Sequence, residues 1–453
     1  MLVYYWHNDI TKRDEKPVKS LYEPSTQELM SAVADEAAQL KGADRRNFLR
    51  KGFAVATAAA AGAVTPALAS NKAPNLPEWT KTLGRGVVAR PYGRPSDFTD
   101  LQRRTVPWLT ASPESSISFS PLQDLKGIIT PSGLHFERYH GGIPEVNPDE
   151  YQLMIHGLVE RPLIFTLDDL MRMPSVTEIR FIECPANGGM EWKGAQMEAL
   201  QFTHGMVSCS EWTGVRLSTL LAEVGVKAEG KWILAEGSDA AGMSRSIPID
   251  KALDDALICY AQNGEPLRPE QGFPVRLMNP GWEGNTSVKW LRRLEVGDQP
   301  WYHREETSKY TDLMPDGRSR KFSFVQETNS VVTNPCPENP IQQKGFIEIE
   351  GLAWSGRGTI KAVDLSFDGG VTWQKAEVKG LALPKALTRF GFKTQWNGEP
   401  WLIQSRAIDE TGYVQPTLAQ LRGERGTNTI YHKNSIHTWN VHASGEVTNV
   451  QIT

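Results

Sequence analysis

Cysteine is scarce in this chain: four in 453 residues, at Cys184, Cys209, Cys259 and Cys336. No two of them form a C-x-x-C pair, and none is followed by histidine at the c-type haem spacing. A zinc ribbon, a thioredoxin-like pair and a covalently attached haem are therefore excluded. The glycine signatures G-x-G-x-x-G and G-x-x-x-x-G-K-[ST] are also missing, so the dinucleotide and P-loop readings fail. Charge of one sign is not in excess: 49 basic against 53 acidic residues leave a net charge of −4. Such a chain has no global field that calls for nucleic acid or anionic lipid. The one long apolar stretch, Phe53 to Leu68, is alanine-rich and only moderately apolar, a poor bilayer span.

What is present is ordinary globular composition, 40% hydrophobic and 23% charged, at a length that suggests two or three domains. The 14 tryptophans are many, and most are better read as packing than as cofactor contacts. Ahead of the alanine-rich stretch stands Arg45-Arg46-Asn47-Phe48-Leu49-Arg50-Lys51, and after it Ala67-Leu68-Ala69. A charged n-region, a short apolar h-region and a small-x-small end in that order describe a signal peptide. The twin arginine points to the Tat route and so to a periplasmic protein exported in folded form. Met30 is an alternative start, and residues 1–69 are expected to lie outside the fold.

Residues 70–126, rich in Pro, Arg, Ser and Thr, read as an extended arm. From 127 to 335, short apolar runs alternate with turns. Tyr151 to His156 is strand-like, and Thr166 caps a short helix. Arg180 to Cys184 is a strand running into Pro185, and Leu217 to Val224 is an amphipathic helix ending at Gly225. The mixture predicts an α+β domain. After the proline-rich linker 333–340, alternating strands at Ile347, Ile360 and Trp401, with hairpin turns at Asp368-Gly369-Gly370 and Asn397-Gly398, predict an immunoglobulin-like β-sandwich over 341–453.

Chemistry gathers around Phe181-Ile-Glu-Cys-Pro-Ala-Asn-Gly-Gly189, where a cysteine ends a strand in a Pro/Gly loop. A thiolate there can face a cleft and take a soft metal, although a lone cysteine is more often simply packed. Arg138 and His140 stand two residues apart, on one face of a strand if the segment is extended. Arg276 and Lys289 lie among tight turns whose backbone N–H groups suit a phosphate-bearing ligand. Solvated surface charge is the competing reading of each.

Taken together these stretches resemble the sulfite oxidase family of molybdopterin oxidoreductases, in order along nearly the whole mature chain. The resemblance implies a sulfite-oxidase-type molybdopterin-binding domain followed by an immunoglobulin-like dimerisation domain. It also implies one molybdenum held on molybdopterin, with oxygen-atom transfer as the reaction. Cys184-Pro-Ala-Asn187 matches the Cys-x-x-Asn loop that gives the metal its only protein ligand. Phe136, Arg138, His140, Asp239, Arg276, Ser287, Val288 and Lys289 match the pterin contacts. Tyr310 and Trp212 match the active-site tyrosine and a substrate-pocket tryptophan, and Arg138 would also contact substrate.

Departures from the family pattern shift the expected substrate. Sulfite-oxidising members continue the loop with two arginines; this chain has Gly188 and Gly189. A family histidine before Gly-Phe-Pro-Val-Arg is here Gln271, and Thr429 falls about where a third substrate arginine would lie. Each lost charge-assisted bond weakens dianion binding by roughly 1.5–3 kcal/mol. The wording Glu-Cys-Pro-Ala-Asn-Gly-Gly-Met-Glu-Trp192 is similar to the sulfane dehydrogenase branch, whose molybdenum subunit is SoxC. That likeness implies a dihaem c-type cytochrome (SoxD) as electron acceptor and the SoxY–SoxZ carrier as sulfur donor. A homodimer within a heterotetramer is implied as well. Oxidation of free sulfite is the alternative enzyme reading, and a metal-free exported binding module the alternative of another class. Cys209, Cys259 and Cys336 read as packed thiols, with a disulfide left open, and His204 as a hydrogen-bonded structural histidine.

Overall fold

In the computed structural model, the described residues are Leu83, 92–106 and 112–452. The export signal and nearly half of the arm lie outside them. The elements of the fold lie in the compact unit that begins at Pro95. Among the described residues no helix is long and apolar enough to cross a membrane.

The first domain is built on two sheets. Strands β1 (Gln152–Gly157) and β2 (Leu163–Thr166) form a hairpin that leads into α1 (Leu167–Arg172). Thr166 and Asp169 cap each other reciprocally at its start, the capping box that the sequence Thr-x-x-Asp allows. Then follow β3 (Ser175–Glu183), α2 (Leu200–His204), β4 (Val207–Arg216) and α3 (Leu217–Val224). Helix α3 stops at Gly225, whose φ of 68° is a left-handed C-cap that glycine adopts without a Cβ penalty. The remaining elements are β5 (Trp232–Gly237), β6 (Ser244–Pro248), α4 (Ile249–Asp254), β7 (Leu257–Gln262), β8 (Arg276–Met278) and β9 (Leu291–Gly297). One sheet runs β2-β1-β9-β5-β6, and the other joins β7, β4 and β3, with β8 also on β7. All these pairs are antiparallel except β9 on β1. Helices α3 and α4 bury Leu217, Leu220, Leu221, Val224 and Ala252 with Leu153, Ile155, Ile233 and Leu294 in one core. The observed class is α+β, as the short mixed elements predict.

The second domain is a sandwich of two antiparallel sheets. One contains β10 (Asn329–Asn334), β11 (Gly345–Trp354) and β13 (Thr388–Trp396), edged by Glu377–Lys379. The other contains β12 (Ile360–Ser366), β14 (Trp401–Asp409), β15 (Thr438–Val441) and β16 (Val447–Val450). Two boundaries differ from expectation. Strand β10 already pairs with β11, so the proline-rich 333–340 stretch overlaps and follows the sandwich's first strand. The arm also ends before 126: Ile117, Phe119, Leu122 and Leu125 are buried, because its short Arg104–Thr105/Ser118–Phe119 ribbon leads apolar side chains inward. Phe181, Leu200, Val207 and Cys209 of the first domain share one core with Val331, Trp354 and Trp439 of the sandwich. That continuity fixes the end of β3, and hence the loop after it, against the second domain.

Candidate active site

Cys184 is the first residue past β3. Its N–H donates to the Met206 carbonyl at 3.0 Å, and its carbonyl accepts from Asn187 N–H at 2.9 Å, closing the loop. The Asn187 side chain does the rest. Its amide NH₂ donates to Glu183 Oε1 at 2.9 Å and its Oδ1 accepts from Met206 N–H at 3.2 Å. Glu183 Oε2 in turn accepts from the Trp354 indole at 2.8 Å. The asparagine three residues after the cysteine is thus a local staple, and the sandwich holds the carboxylate it leans on. Burial raises Glu183 to about 7 and the Cys184 thiol to about 11, the latter partly offset by the Ala186 N–H and the Arg138 charge. Desolvation disfavours the charged form of both.

Two cavities meet at Cys184. The inner one, about 660 Å³ including its mouth, is walled by Phe136, Arg138, His140, Asp239, Arg276, Ser287, Val288, Lys289 and Tyr310. Ten of the eleven expected site residues line it, counting Cys184. Arg138 and His140 do so without the expected strand; only a single bridge, Ile117 to Arg138, forms there. Tyr310, held at φ 54°, shares a hydrogen bond of 3.1 Å with His140 Nε2. Burial and nearby cations hold His140 down to about 3, so its imidazole is neutral.

Trp212 is the exception. It is wholly buried on β4, between β3 and β7. Its indole N–H donates to the Arg180 carbonyl at 3.1 Å. The Arg276 guanidinium lies over its ring at 5.0 Å, so it backs the cavity instead of facing substrate.

The inner wall carries buried positive charge with no ion-pair partner among the described residues. Arg276 donates to the carbonyls of Gln271 and Ser287 at 3.0 and 2.9 Å. Lys289 donates to those of Arg138 and Glu270 at 3.2 and 2.9 Å, between the rings of Tyr139 and Trp290. Burial lowers Arg276 to about 10 and Lys289 well below the usual amine range. Two desolvated basic groups that meet carbonyl dipoles and ring faces, with the nearby carboxylates of Asp239 and Glu270 acting on Lys289 without an ion pair, carry a desolvation cost that an anionic ligand in the cavity would offset. The wall thus fits a phosphate-bearing group.

The outer cavity is a vestibule of about 2610 Å³ including its mouth. It shares Arg138, His140, Cys184 and Tyr310 with the inner one and adds Gly188, Gly189, Met190, Met197, Met206, Arg304, Lys309 and Tyr431. Glycine at 188 and 189 is a backbone requirement. Gly188 has φ 72°, and a Cβ on Gly189 would stand 2.3 Å from the Ile430 carbonyl oxygen. Thr429 donates to Asp312, which also pairs with Arg425 at 2.6 Å. Four wall residues of the inner cavity, Met243, Asn285, Trp290 and His135, were not singled out from sequence. Nor were Ile430 and Tyr431, which return from beyond the sandwich's helix and carry no motif. Trp290, next to Ser287-Val288-Lys289, had a usable signal. All four cysteines are free and buried, and His204 is a buried histidine bonded to Thr203 Oγ1 at 2.8 Å.

Comparison with known proteins agrees with this geometry. Residues 140–305 match the model of an oxidoreductase molybdopterin binding domain, and 320–439 that of a Mo-co oxidoreductase dimerisation domain. The crystal structure of the sulfane dehydrogenase SoxCD from Paracoccus pantotrophus superposes with a TM-score of 0.82. It is 54% identical, over 84% of this chain and 98% of that one. The chain belongs to the sulfite oxidase family of molybdopterin oxidoreductases. Within the family it is also similar to mitochondrial sulfite oxidase from Mus musculus, 33% identical over 68% of this chain and 61% of that protein. NADH nitrate reductase from Ulva prolifera is 35% identical over 55% of this chain and 32% of that protein. The chain therefore spans about a third to three fifths of these two relatives' length.

Proposed function

We propose that this family member is the molybdenum-binding subunit of a sulfane-dehydrogenase-type enzyme. It oxidises sulfur presented on a carrier protein of the SoxY–SoxZ kind and passes electrons to a dihaem c-type cytochrome of the SoxD kind. The observation that carries this reading is the vestibule: a wide, methionine-lined approach to Cys184 in which Gly188 and Gly189 stand where sulfite-oxidising relatives place arginines. The 54% identity to a sulfane dehydrogenase supports the same branch. A deep approach suits a substrate carried on a flexible arm, whereas a free dianion binds best where several cations converge.

When bound, the molybdenum–pterin group supplies two-electron oxygen-atom transfer. The chain's part is holding and orienting. Cys184 is the thiolate ligand. Arg276, Lys289, Ser287, Val288 and Asp239, with Phe136 and His140, would hold the phosphate and pterin. Arg138 reaches the junction of the two cavities, where it orients anionic substrate oxygens. Either tautomer of neutral His140 leaves the Tyr310 hydroxyl one free hydrogen-bonding valence there, so Tyr310 positions a polar substrate atom beside Cys184. The sandwich is the surface for a homodimer within a heterotetramer. The twin-arginine segment directs the folded, loaded chain to the periplasm.

The test compares substrates on the matured enzyme with cytochrome c as acceptor: free sulfite against a carrier cysteine charged with sulfane sulfur. The carrier-bound form should have kcat/KM higher by roughly tenfold or more, about 1.4 kcal/mol of transition-state preference. Equal or faster turnover of free sulfite overturns the substrate assignment. Protein lacking molybdenum and pterin after maturation overturns the enzyme reading.

A further inference from the structure

His135 immediately precedes the segment whose Phe136, Arg138 and His140 line the inner cavity. It is 1% exposed and belongs to the same wall. Its Nδ1 lies 2.9 Å from the Phe136 carbonyl oxygen. A carbonyl only accepts, so Nδ1 carries the proton and donates. Nε2 is then a bare acceptor, and it has no partner among the described residues. Burial, aided by the charges of Arg276, Lys289 and Arg103, holds the imidazole down to about 3, which keeps this tautomer neutral. The ring cannot turn away. It stacks on Phe136 at 5.3 Å and meets the Trp212 edge at 5.8 Å.

An orphaned acceptor costs about 1–3 kcal/mol when nothing donates to it. The wall's charged donors are Arg276, Lys289 and Arg138, and its carboxylate, Asp239, already accepts from Met243 N–H at 2.9 Å, so the His135 acceptor stays unmatched unless the ligand has a donor of its own. Gln271, which stands where the family pattern has a histidine, does not take the role. Its amide NH₂ donates to the Phe136 carbonyl at 3.2 Å, the same oxygen that His135 uses.

We propose that His135 is a pterin-binding residue of this chain, accepting through Nε2 a hydrogen bond from an N–H edge of the pterin heterocycle. It thereby supplies, from beside the same Phe136 carbonyl that Gln271 uses, an imidazole where Gln271 offers none. The proposal rests on the molybdopterin reading of the cavity. It specifies that this chain recognises the nitrogen-rich edge of the ligand as well as its phosphate.

Two substitutions separate this from a purely structural histidine. His135→Asn keeps a donor where Nδ1 stands and removes the acceptor at Nε2. His135→Gln places its amide near Nε2 and loses the Nδ1 donor. Each variant is produced with full cofactor maturation, and pterin per protomer is read from the fluorescence of the oxidised, released cofactor. The thermal midpoint of the cofactor-free form is measured alongside. The expected result is pterin occupancy in His135→Asn reduced by roughly tenfold, with His135→Gln closer to wild type and the cofactor-free midpoint of His135→Asn little changed. Full occupancy in His135→Asn, or loss confined to His135→Gln, overturns the proposal.

A second reading needs no substitution. In protein labelled with ¹⁵N-histidine, the unprotonated Nε2 resonance of His135 should move upfield when the cofactor is loaded, and an unmoved resonance overturns the proposal. Wild-type protein without pterin sinks the cofactor reading itself. Wild-type protein with pterin, and His135→Asn equally loaded, sinks this inference alone.

Discussion

The inner cavity and the vestibule share four residues and little else. The inner wall is dense with short motifs from one domain. Its cations are desolvated, and carbonyls and stacked rings hold them in place. The vestibule is assembled from scattered segments, from Arg104 through Met190 and Arg304 to Ile430 and Tyr431. It is lined by three methionines, one of them, Met190, 51% exposed. A wall of buried charge suits one kind of ligand, because anything other than an anion leaves the desolvation cost standing. A wall of thioethers and solvated charges re-packs around different shapes. Ligand identity is therefore strict on one side of Cys184 and adjustable on the other.

Acid should have the largest expected effect, acting through two histidines of the inner side and two behind the loop after β3. His135, His140 and His204 are held near 3 and His437 well below its ordinary value, all chiefly by burial. Unfolding lets each take up a proton at any pH below about 6.5. The histidines' contribution is therefore full above that value and falls as pH drops towards 3, by up to roughly 1.4 kcal/mol per pH unit for each, while Glu183, raised to about 7, offsets about one of them between pH 7 and 4.5. Denaturant titrations of the cofactor-free chain between pH 7.5 and 5 should show this slope. Stability that is flat or rises on acidification contradicts the buried neutral assignment. His135→Gln should reduce the slope by about one proton's worth.

Cys184→Ser tests the junction. Replacing the thiolate should lower turnover by at least roughly 10²-fold, the upper range for a group that merely supports a ligand. Molybdenum content should fall while pterin stays, because the phosphate-holding wall is untouched. Joint loss of pterin and metal would mean that the two halves of the inner site are not separable as the geometry suggests.

Lys289→Met is smaller and crosses in sign. The thioether fills the slot between Tyr139 and Trp290 without a charge. The cofactor-free chain should gain about 1–3 kcal/mol in denaturant titration, while pterin occupancy falls. A variant destabilised in the cofactor-free form would show that the carbonyls around Lys289 alone compensate its burial.

The asymmetry between the two cavities also explains what was legible in sequence. Residues that face a ligand through a local turn, such as Cys184 with Asn187 or Ser287 with Lys289, keep their spacing in one dimension, so motif and resemblance together reach them. The capping box at Thr166 and the left-handed stop at Gly225 are legible for the same reason: the partners are neighbours in the chain. Trp212 was assigned by resemblance alone, and a short motif match does not say which of two covered faces of β4 borders the cavity. Strand β10 was hidden by prolines in its own tail. Ile430 and Tyr431 reach the vestibule only because the chain returns across the first domain after α5 (Leu418–Arg425), and nothing local announces that return.

The weakest effect is the most informative about the outer side. Putting arginine back at 189 is not a clean test of substrate charge, since any Cβ there collides with the Ile430 carbonyl. The neighbouring Met190 is exposed on the same vestibule wall, and Met190→Arg adds a cation with little effect on folding, within about 0.5 kcal/mol. An exposed cation contributes at most about 1 kcal/mol to holding an anion. The KM for free sulfite should therefore fall by no more than roughly fivefold, and less at high salt. Turnover of carrier-bound sulfur should slow, as a charged, well-hydrated side chain replaces an adaptable apolar one along the approach. If both substrates respond alike, the vestibule does not discriminate between them, and the selectivity must lie at Arg138 and Tyr310, inside the junction.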